Sequence, residues 1–148
     1  MQLNIRVAQD KDISALVEFN QNMAFETEQK HLDSEVLSKG VGALVADSNK
    51  GFYLVAELDA QVVGSLMVTT EWSDWRNAVF WWIQSVYIVP NFRRRGIYAQ
   101  LYAKVKALAE EQGNICGFRL YVEKDNTVAQ STYTALGMHE SHYLMFEE

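Results

Sequence analysis

The stretch Val79-Phe80-Trp81-Trp82-Ile83-Gln84-Ser85-Val86-Tyr87-Ile88-Val89 runs into Pro90-Asn91-Phe92-Arg93-Arg94-Arg95-Gly96 and then Ile97-Tyr98-Ala99. Its first part is aromatic and β-branched, which predicts a strand, and it is too apolar to be half exposed. From Ile97 a helix is legible, because Ile97, Leu101, Val105 and Leu108 share a face and Gly113 follows as a stop. A strand that enters a helix through a glycine-containing turn aims free backbone N–H groups and the positive end of the helix dipole at one point. Such a point binds phosphate, and three adjacent arginines add charge-assisted hydrogen bonds suited to a pyrophosphate. The turn lacks the Gly-Lys-Ser/Thr ending of a nucleotide P-loop, and with it the Mg²⁺ ligand. It also lacks the three glycines of a dinucleotide fingerprint. The expected ligand is a phosphate carrier bound without metal.

Working outward, Leu3–Val7 reads as a first strand. Asp10 and Asp12 are N-cap candidates for a helix carrying Ile13, Leu16, Val17, Met23 and Ala24 on one face. Asp33-Ser34-Glu35 restarts a helix that Gly51 breaks. Phe52–Glu57 and Gln61–Thr70 predict a hairpin across Leu58-Asp59-Ala60, and Glu71–Asn77 reads as a loop holding Trp72 and Trp75. Downstream, Gly117–Val122 reads as a buried strand. Asp125-Asn126-Thr127 caps a helix with Val128, Ala129, Thr132, Tyr133 and Leu136 inside, and Tyr143–Phe146 reads as a last strand. The order is that of a mixed α/β (α+β) layer in one domain spanning 1–148.

Charge and composition narrow the function. The 148 residues are 49% hydrophobic and 22% charged, enough to bury a core. The longest apolar run, Ala78–Ile83, falls far short of the roughly 18 residues that span a bilayer. The N-terminus lacks a secretory signature, and the lone Cys116 excludes an internal disulfide framework, so a reduced, cytoplasmic protein is expected. A net charge of -6 argues against nucleic-acid binding. The charge is uneven: acids dominate Asp10–Glu35, and Arg93, Arg94, Arg95, Lys104 and Lys106 occur without an acid among them. That predicts a small anionic ligand at the arginines and a cationic one nearer the acids.

The run Val86-Tyr87-Ile88-Val89-Pro90-Asn91-Phe92-Arg93-Arg94-Arg95-Gly96-Ile97-Tyr98 resembles the acyl-CoA motif of the GCN5-related N-acetyltransferases (GNAT superfamily). In that family a strand leads into Gln/Arg-x-x-Gly-x-Gly/Ala and a helix. Arg93 and Gly96 fill the first two fixed positions, whereas Tyr98 stands where the family prefers Gly or Ala. A second family element is matched by Asn126, Ala129, Tyr133 and Gly137, and the order of elements fits over Leu3–Phe146. The resemblance implies a mostly antiparallel central sheet of about six or seven strands, splayed at the acyl-CoA site and flanked by about four helices. It implies acetyl-CoA as co-substrate, no metal, and a homodimer. The backbone of Val86, Tyr87 and Ile88 would hold the pantetheine arm, and backbone amides from Arg94 through Ala99, including Arg95, Gly96, Ile97 and Tyr98, would hold the pyrophosphate. Asn126 would touch the pantetheine end, and Tyr133 would stand near the sulfur.

The chemistry asks for such parts independently. An amine attacking a thioester develops an oxyanion that wants preorganised N–H donors. A departing thiolate, whose thiol has a pKa near 8.5, needs a donor, and a phenol of pKa about 10 can serve locally. The amine must arrive neutral although its ordinary pKa is around 10.4, so a carboxylate or a water chain leading to one takes its proton. Family members often place that carboxylate at the position aligned with Gln84, and an amide is no base. Glu26 and Glu28 at the end of the first helix therefore rank ahead of Glu71 and Asp74. Trp72 and Trp75 beside those two acids suit a cationic amine through cation–π contacts, and equally suit a dimer contact.

Plainer readings stand beside these. Tyr133 also fits a core tyrosine, Asn126 a helix cap, and Cys116 packing inside a strand. Trp81 and Trp82 face opposite sides of their strand, so one belongs to the core. His31, His139 and His142 show no metal spacing. The expected function is acetyl transfer from acetyl-CoA directly to a primary amine of a small, polyamine-like molecule, with no nucleic acid or membrane partner. The alternatives are a non-catalytic acyl-CoA sensor, motivated by Tyr98 and Gln84, and a protein or peptide N-acetyltransferase.

Overall fold

In the computed structural model, which describes residues 2–148, one sheet carries β1 (Leu3–Val7), β2 (Phe52–Leu58), β3 (Gln61–Ser73), β4 (Ala78–Ile88) and β5 (Ile115–Arg119) in that spatial order. The pairs from β1 to β4 are antiparallel and β4–β5 is parallel, with the crossover made by helix α3 (Ile97–Gln112). The sequence order thus closes as hairpins until the long central strand, then as one parallel crossover.

Side-chain alternation sorts the layers. Leu54, Ala56, Leu66, Val68, Trp81 and Ile83 pack on Ile97, Leu101, Tyr102 and Val105 of α3. On the opposite face Tyr53 and Val55 pack on Leu16 of α1 (Ile13–Glu28) and on Val41 and Leu44 of α2 (Ser34–Ala46). Residues 53 and 55 against 54 and 56 follow the two-residue strand period. Leu101 is fully buried, and trimming it to alanine would cost about 2–5 kcal/mol. The hairpin between β2 and β3 turns on Asp59 (φ 50) and Ala60 (φ 65), the two left-handed residues of a type I′ turn. No helix among the described residues is long and apolar enough to cross a membrane.

Several expectations are corrected. The sheet has five strands, not six or seven, because Tyr143–Phe146 joins no ladder. An apolar run predicts extended backbone but not a partner, and here Tyr143, Leu144, Met145 and Phe146 are 64%, 80%, 59% and 88% exposed. The strand read over Gly117–Val122 lies at Ile115–Arg119, and Cys116 within it is exposed, so it is no packing residue. The loop read from Glu71 begins later, since β3 continues through Trp72 to Ser73. Asp12 stands at the N-cap position of α1 as expected, but its side chain accepts no N–H of that helix. It turns inward, 3% exposed, to accept two bonds from Arg6 at 2.7 and 3.0 Å and one from the Gln9 N–H at 2.7 Å. Arg6 also reaches Glu57 at 3.0 Å, so one guanidinium ties β1 to the α1 approach and to β2.

Candidate active site

The site begins with an irregularity in β4. Ser65 pairs with Tyr87 but Met67 pairs with Gln84, so β4 carries one extra residue. Ser85, at φ 52, is left-handed within that bulge. On the other side the ladder to β5 ends at Trp82 with Arg119. Beyond it, Ile83–Ile88 shows an edge that no strand covers among the described residues. The backbone of Val86, Tyr87 and Ile88 is thus available for an extended ligand added in the manner of a strand.

β4 leads to the bend and to α3. Arg94 (φ 64) and Gly96 (φ 77) are both left-handed, and no side chain caps the helix. A Cβ at Gly96 would meet nothing within 4 Å, so glycine serves the backbone angle and not clearance. The first helical bond runs from the Gln100 N–H to the Gly96 carbonyl at 3.2 Å. The N–H groups of Ile97, Tyr98 and Ala99 ahead of it have no helical acceptor, the arrangement from which helix starts hold anions. Arg94 is exposed and outside any ion pair among the described residues, while the Arg95 guanidinium lies 5.1 Å from the Phe92 ring centre.

Arg93 behaves differently from its neighbours. Its Nε donates to the Ile88 carbonyl at 2.8 Å, its Nη2 to Glu26 Oε1 at 2.8 Å, and it lies 5.3 Å over the Tyr87 ring. The Tyr87 hydroxyl donates to Glu26 Oε2 at 2.6 Å. Both oxygens of Glu26 are therefore engaged, and the bonds from Tyr87 and Arg93 hold its carboxyl below the usual range. A carboxylate so held is a weaker proton acceptor than a free one. Arg93 braces the bend from within and leaves the outward charge to Arg94 and Arg95.

On the far side stands α4 (Thr127–Ala135), which buries no residue completely. The Asn126 Oδ1 accepts the Ala129 N–H at 3.1 Å, so this side chain does cap the helix. Tyr133 is partly buried, and burial pushes its phenol up, which keeps the proton on at neutral pH. Its ring meets Tyr98 edge-on at 5.6 Å, and Tyr98 stacks parallel to Tyr102 at 6.2 Å. The Tyr98 hydroxyl is buried and makes no hydrogen bond. An uncovered strand edge, an uncapped helix start and an orphaned hydroxyl beside them fit a phosphate-bearing thioester carrier. Val86, Tyr87 and Ile88 would hold its arm, and the amides from Arg94 to Ala99 its phosphates.

The residues expected around an amine are dispersed. Gln84 Nε2 donates to Thr69 Oγ1 at 2.6 Å, and Glu28 meets only Lys30, at 3.4 Å, on the surface. Trp72 and Trp75 are 60% and 89% exposed at the β3–β4 turn, away from the end of α1 that carries Glu26 and Glu28. Sequence reading missed a cluster at the same end of the sheet. Glu71 accepts from Trp82 Nε1 at 2.7 Å and from Arg119 at 3.1 Å, and Arg119 lies 3.6 Å over Phe80. Opposite facing of Trp81 and Trp82 was the available signal: Trp81 is 3% exposed in the core, and Trp82 points to Glu71.

Comparison with known proteins places this geometry. The profile of the acetyltransferase (GNAT) family matches residues 13–138. The crystal structure of a possible acetyltransferase from Clostridium difficile 630 superposes with a TM-score of 0.92 at 47% identity, covering 100% of this chain and 97% of that one. The aminoglycoside N-acetyltransferase AAC(6')-Iy, solved with the bisubstrate analog CoA-S-monomethyl-acetylneamine, superposes with a TM-score of 0.79 over 100% of this chain and 98% of that one. At 17% identity that likeness concerns the fold alone. The aminoglycoside N(6')-acetyltransferase type 1 of Acinetobacter genomosp. 13 is 31% identical over 64 residues, which is 43% of this chain and 43% of that protein.

Proposed function

The chain belongs to the acetyltransferase (GNAT) family, and from that premise we propose that it transfers an acetyl group from acetyl-CoA directly to a primary amine of a small polycationic molecule. The observation that carries this reading is the uncovered edge of Ile83–Ile88 leading to the uncapped start of α3. Acetyl-CoA supplies the activated thioester. The β4 edge binds and aligns its arm, and the amides after Arg93 hold its phosphates, with Arg94 and Arg95 outside them. Tyr133 keeps a proton at neutral pH and donates it to the sulfur as the carbon–sulfur bond breaks. The incoming amine loses its proton to solvent or to a carboxylate reached through water. Of the two acids ending α1, Glu28 fits that role, because Glu26 is already bonded through both oxygens.

Two further parts belong to this reading. The outer edge of β5 is uncovered while Tyr143–Phe146 stands exposed, with Tyr143 5.9 Å from Arg119 of that strand. Each copy thus offers an exposed apolar tail and a strand edge that could take it, which would close as a two-fold homodimer. The single exposed Cys116 suits a reducing compartment, so the protein works in the cytoplasm.

The test is release of free thiol from acetyl-CoA across a panel of polyamines, aminoglycosides, amino acids and peptides. Turnover confined to polycationic small amines is the expected result. Tight acetyl-CoA binding with no release for any amine would make the protein a sensor, and release with peptides alone would reassign the acceptor.

A further inference from the structure

A buried phenol without a partner is costly, by about 1–3 kcal/mol, and folded proteins rarely keep one. The Tyr98 hydroxyl is the only buried side-chain polar atom among the described residues that has none. It belongs to the second residue of α3, immediately after the Gly96 bend, and its ring packs between Tyr102 of its own helix and Tyr133 of α4. Phenylalanine would fill the same space without the cost, so the oxygen calls for a ligand-bound state in which it has a partner. α3 and α4 meet through this pair of rings, so the unpaired oxygen belongs to the residue that adjoins both the Gly96 bend and Tyr133, the phenol read at the thioester end.

We propose that the Tyr98 hydroxyl donates a hydrogen bond to the pantetheine arm of bound CoA, exchanging an empty-state penalty for a cofactor contact. The inference rests on the acyl-CoA reading above and adds a recognition residue to it. Burial keeps this phenol protonated, so it has a proton to donate. Tyr98 binds through the oxygen that the empty protein leaves unpaired, while Tyr133 works on the sulfur. One consequence is peculiar to such a residue: removing the hydroxyl should weaken the complex without weakening the empty protein.

Tyr98→Phe tests this by calorimetric titration and thermal melting, with the wild type alongside. The wild type binding CoA establishes the site itself; if it does not, the acyl-CoA reading fails and not merely this inference. Given binding, the variant should lose about three- to tenfold in CoA affinity, the worth of one hydrogen bond, while its empty-state melting temperature stays level or rises. Adenosine 3′,5′-bisphosphate, which lacks the arm, should bind both proteins alike. Equal CoA affinity would overturn the proposal, as would a lowered melting temperature of the empty variant or an equal loss with the bisphosphate.

Discussion

The Tyr87 hydroxyl donates to Glu26 at 2.6 Å across the gap between β4 and the end of α1. This bond fastens the helix to the one stretch of β4 that has no neighbour on its β5 side. Arg93 grips the same carboxylate from the bend, so a single acid links helix, strand and the turn before α3.

Glu26→Gln separates brace from base. Because the carboxyl is held below its ordinary range, it is ionised at every pH where an amine substrate could be neutral. A base role would make the acidic limb of the kcat profile vanish in the variant. The expected outcome is an unchanged limb and CoA binding weakened about two- to tenfold, as the bend loses one of its ties. Loss of the limb would restore Glu26 as the proton acceptor.

A second prediction concerns acid stability. Bonds from Arg6 hold the Asp12 carboxyl down, outweighing the opposing effect of burial. A depressed folded-state value means that the contribution is complete above the unfolded value of about 3.9 and is lost as pH falls through the lower folded one. Asp12→Asn should therefore cost about 1.5–3 kcal/mol in urea unfolding at pH 7, since it removes charge-assisted bonds from Arg6 while Arg6 keeps Glu57. The difference between variant and wild type should shrink below pH 4. A gap that stayed constant down to pH 2 would contradict the pairing.

Much of this was legible in the residues and some was not, for physical reasons. Apolar periodicity placed β4 and α3, and Asp33 showed itself as a cap, accepting from the Glu35 and Val36 N–H groups. Local pattern carries such features because they depend on neighbours in the chain. The Glu26–Arg93 tie joins residues 67 positions apart, which no local period encodes. The bulge at Ser85 was equally hidden, since serine gives no hint of a left-handed angle. Tyr98 announced itself only as a departure from a family pattern; its unpaired oxygen needed the packing of two helices to appear. Asp12 does stand at the N-cap of α1, but a carboxylate near a helix start satisfies the cap rule and the ion-pair rule alike, and its oxygens go to Arg6 and the Gln9 N–H.

At the bend and the thioester end, two substitutions should divide binding from chemistry. Arg94→Glu places an acid beside the uncapped start of α3 and should weaken CoA binding at least tenfold at low salt, with the effect shrinking as salt rises. Tyr133→Phe should leave CoA affinity near that of the wild type and lower kcat about a hundredfold, the lower range for loss of a proton donor. Steady-state kinetics with parallel titrations reads both. Full turnover by the Tyr133 variant would remove the donor assignment.

The proposed homodimer can be tested through the chain's own cysteine. Cys116 is exposed on the edge strand, and Tyr143, Leu144, Met145 and Phe146 are exposed in the tail. Replacing these four by cysteine one at a time, under oxidation, should give covalent dimers on a non-reducing gel, and light scattering should report a dimer before oxidation. If the tail pairs as a strand, cross-linking should alternate along it, strong at one position and weak at the next, because successive side chains face opposite sides. A uniformly weak series from a monomer in solution would leave the β5 edge without its partner. A fast-migrating monomer would show instead that each tail closes on its own strand, which the 5.9 Å approach of Arg119 to Tyr143 makes the natural competitor.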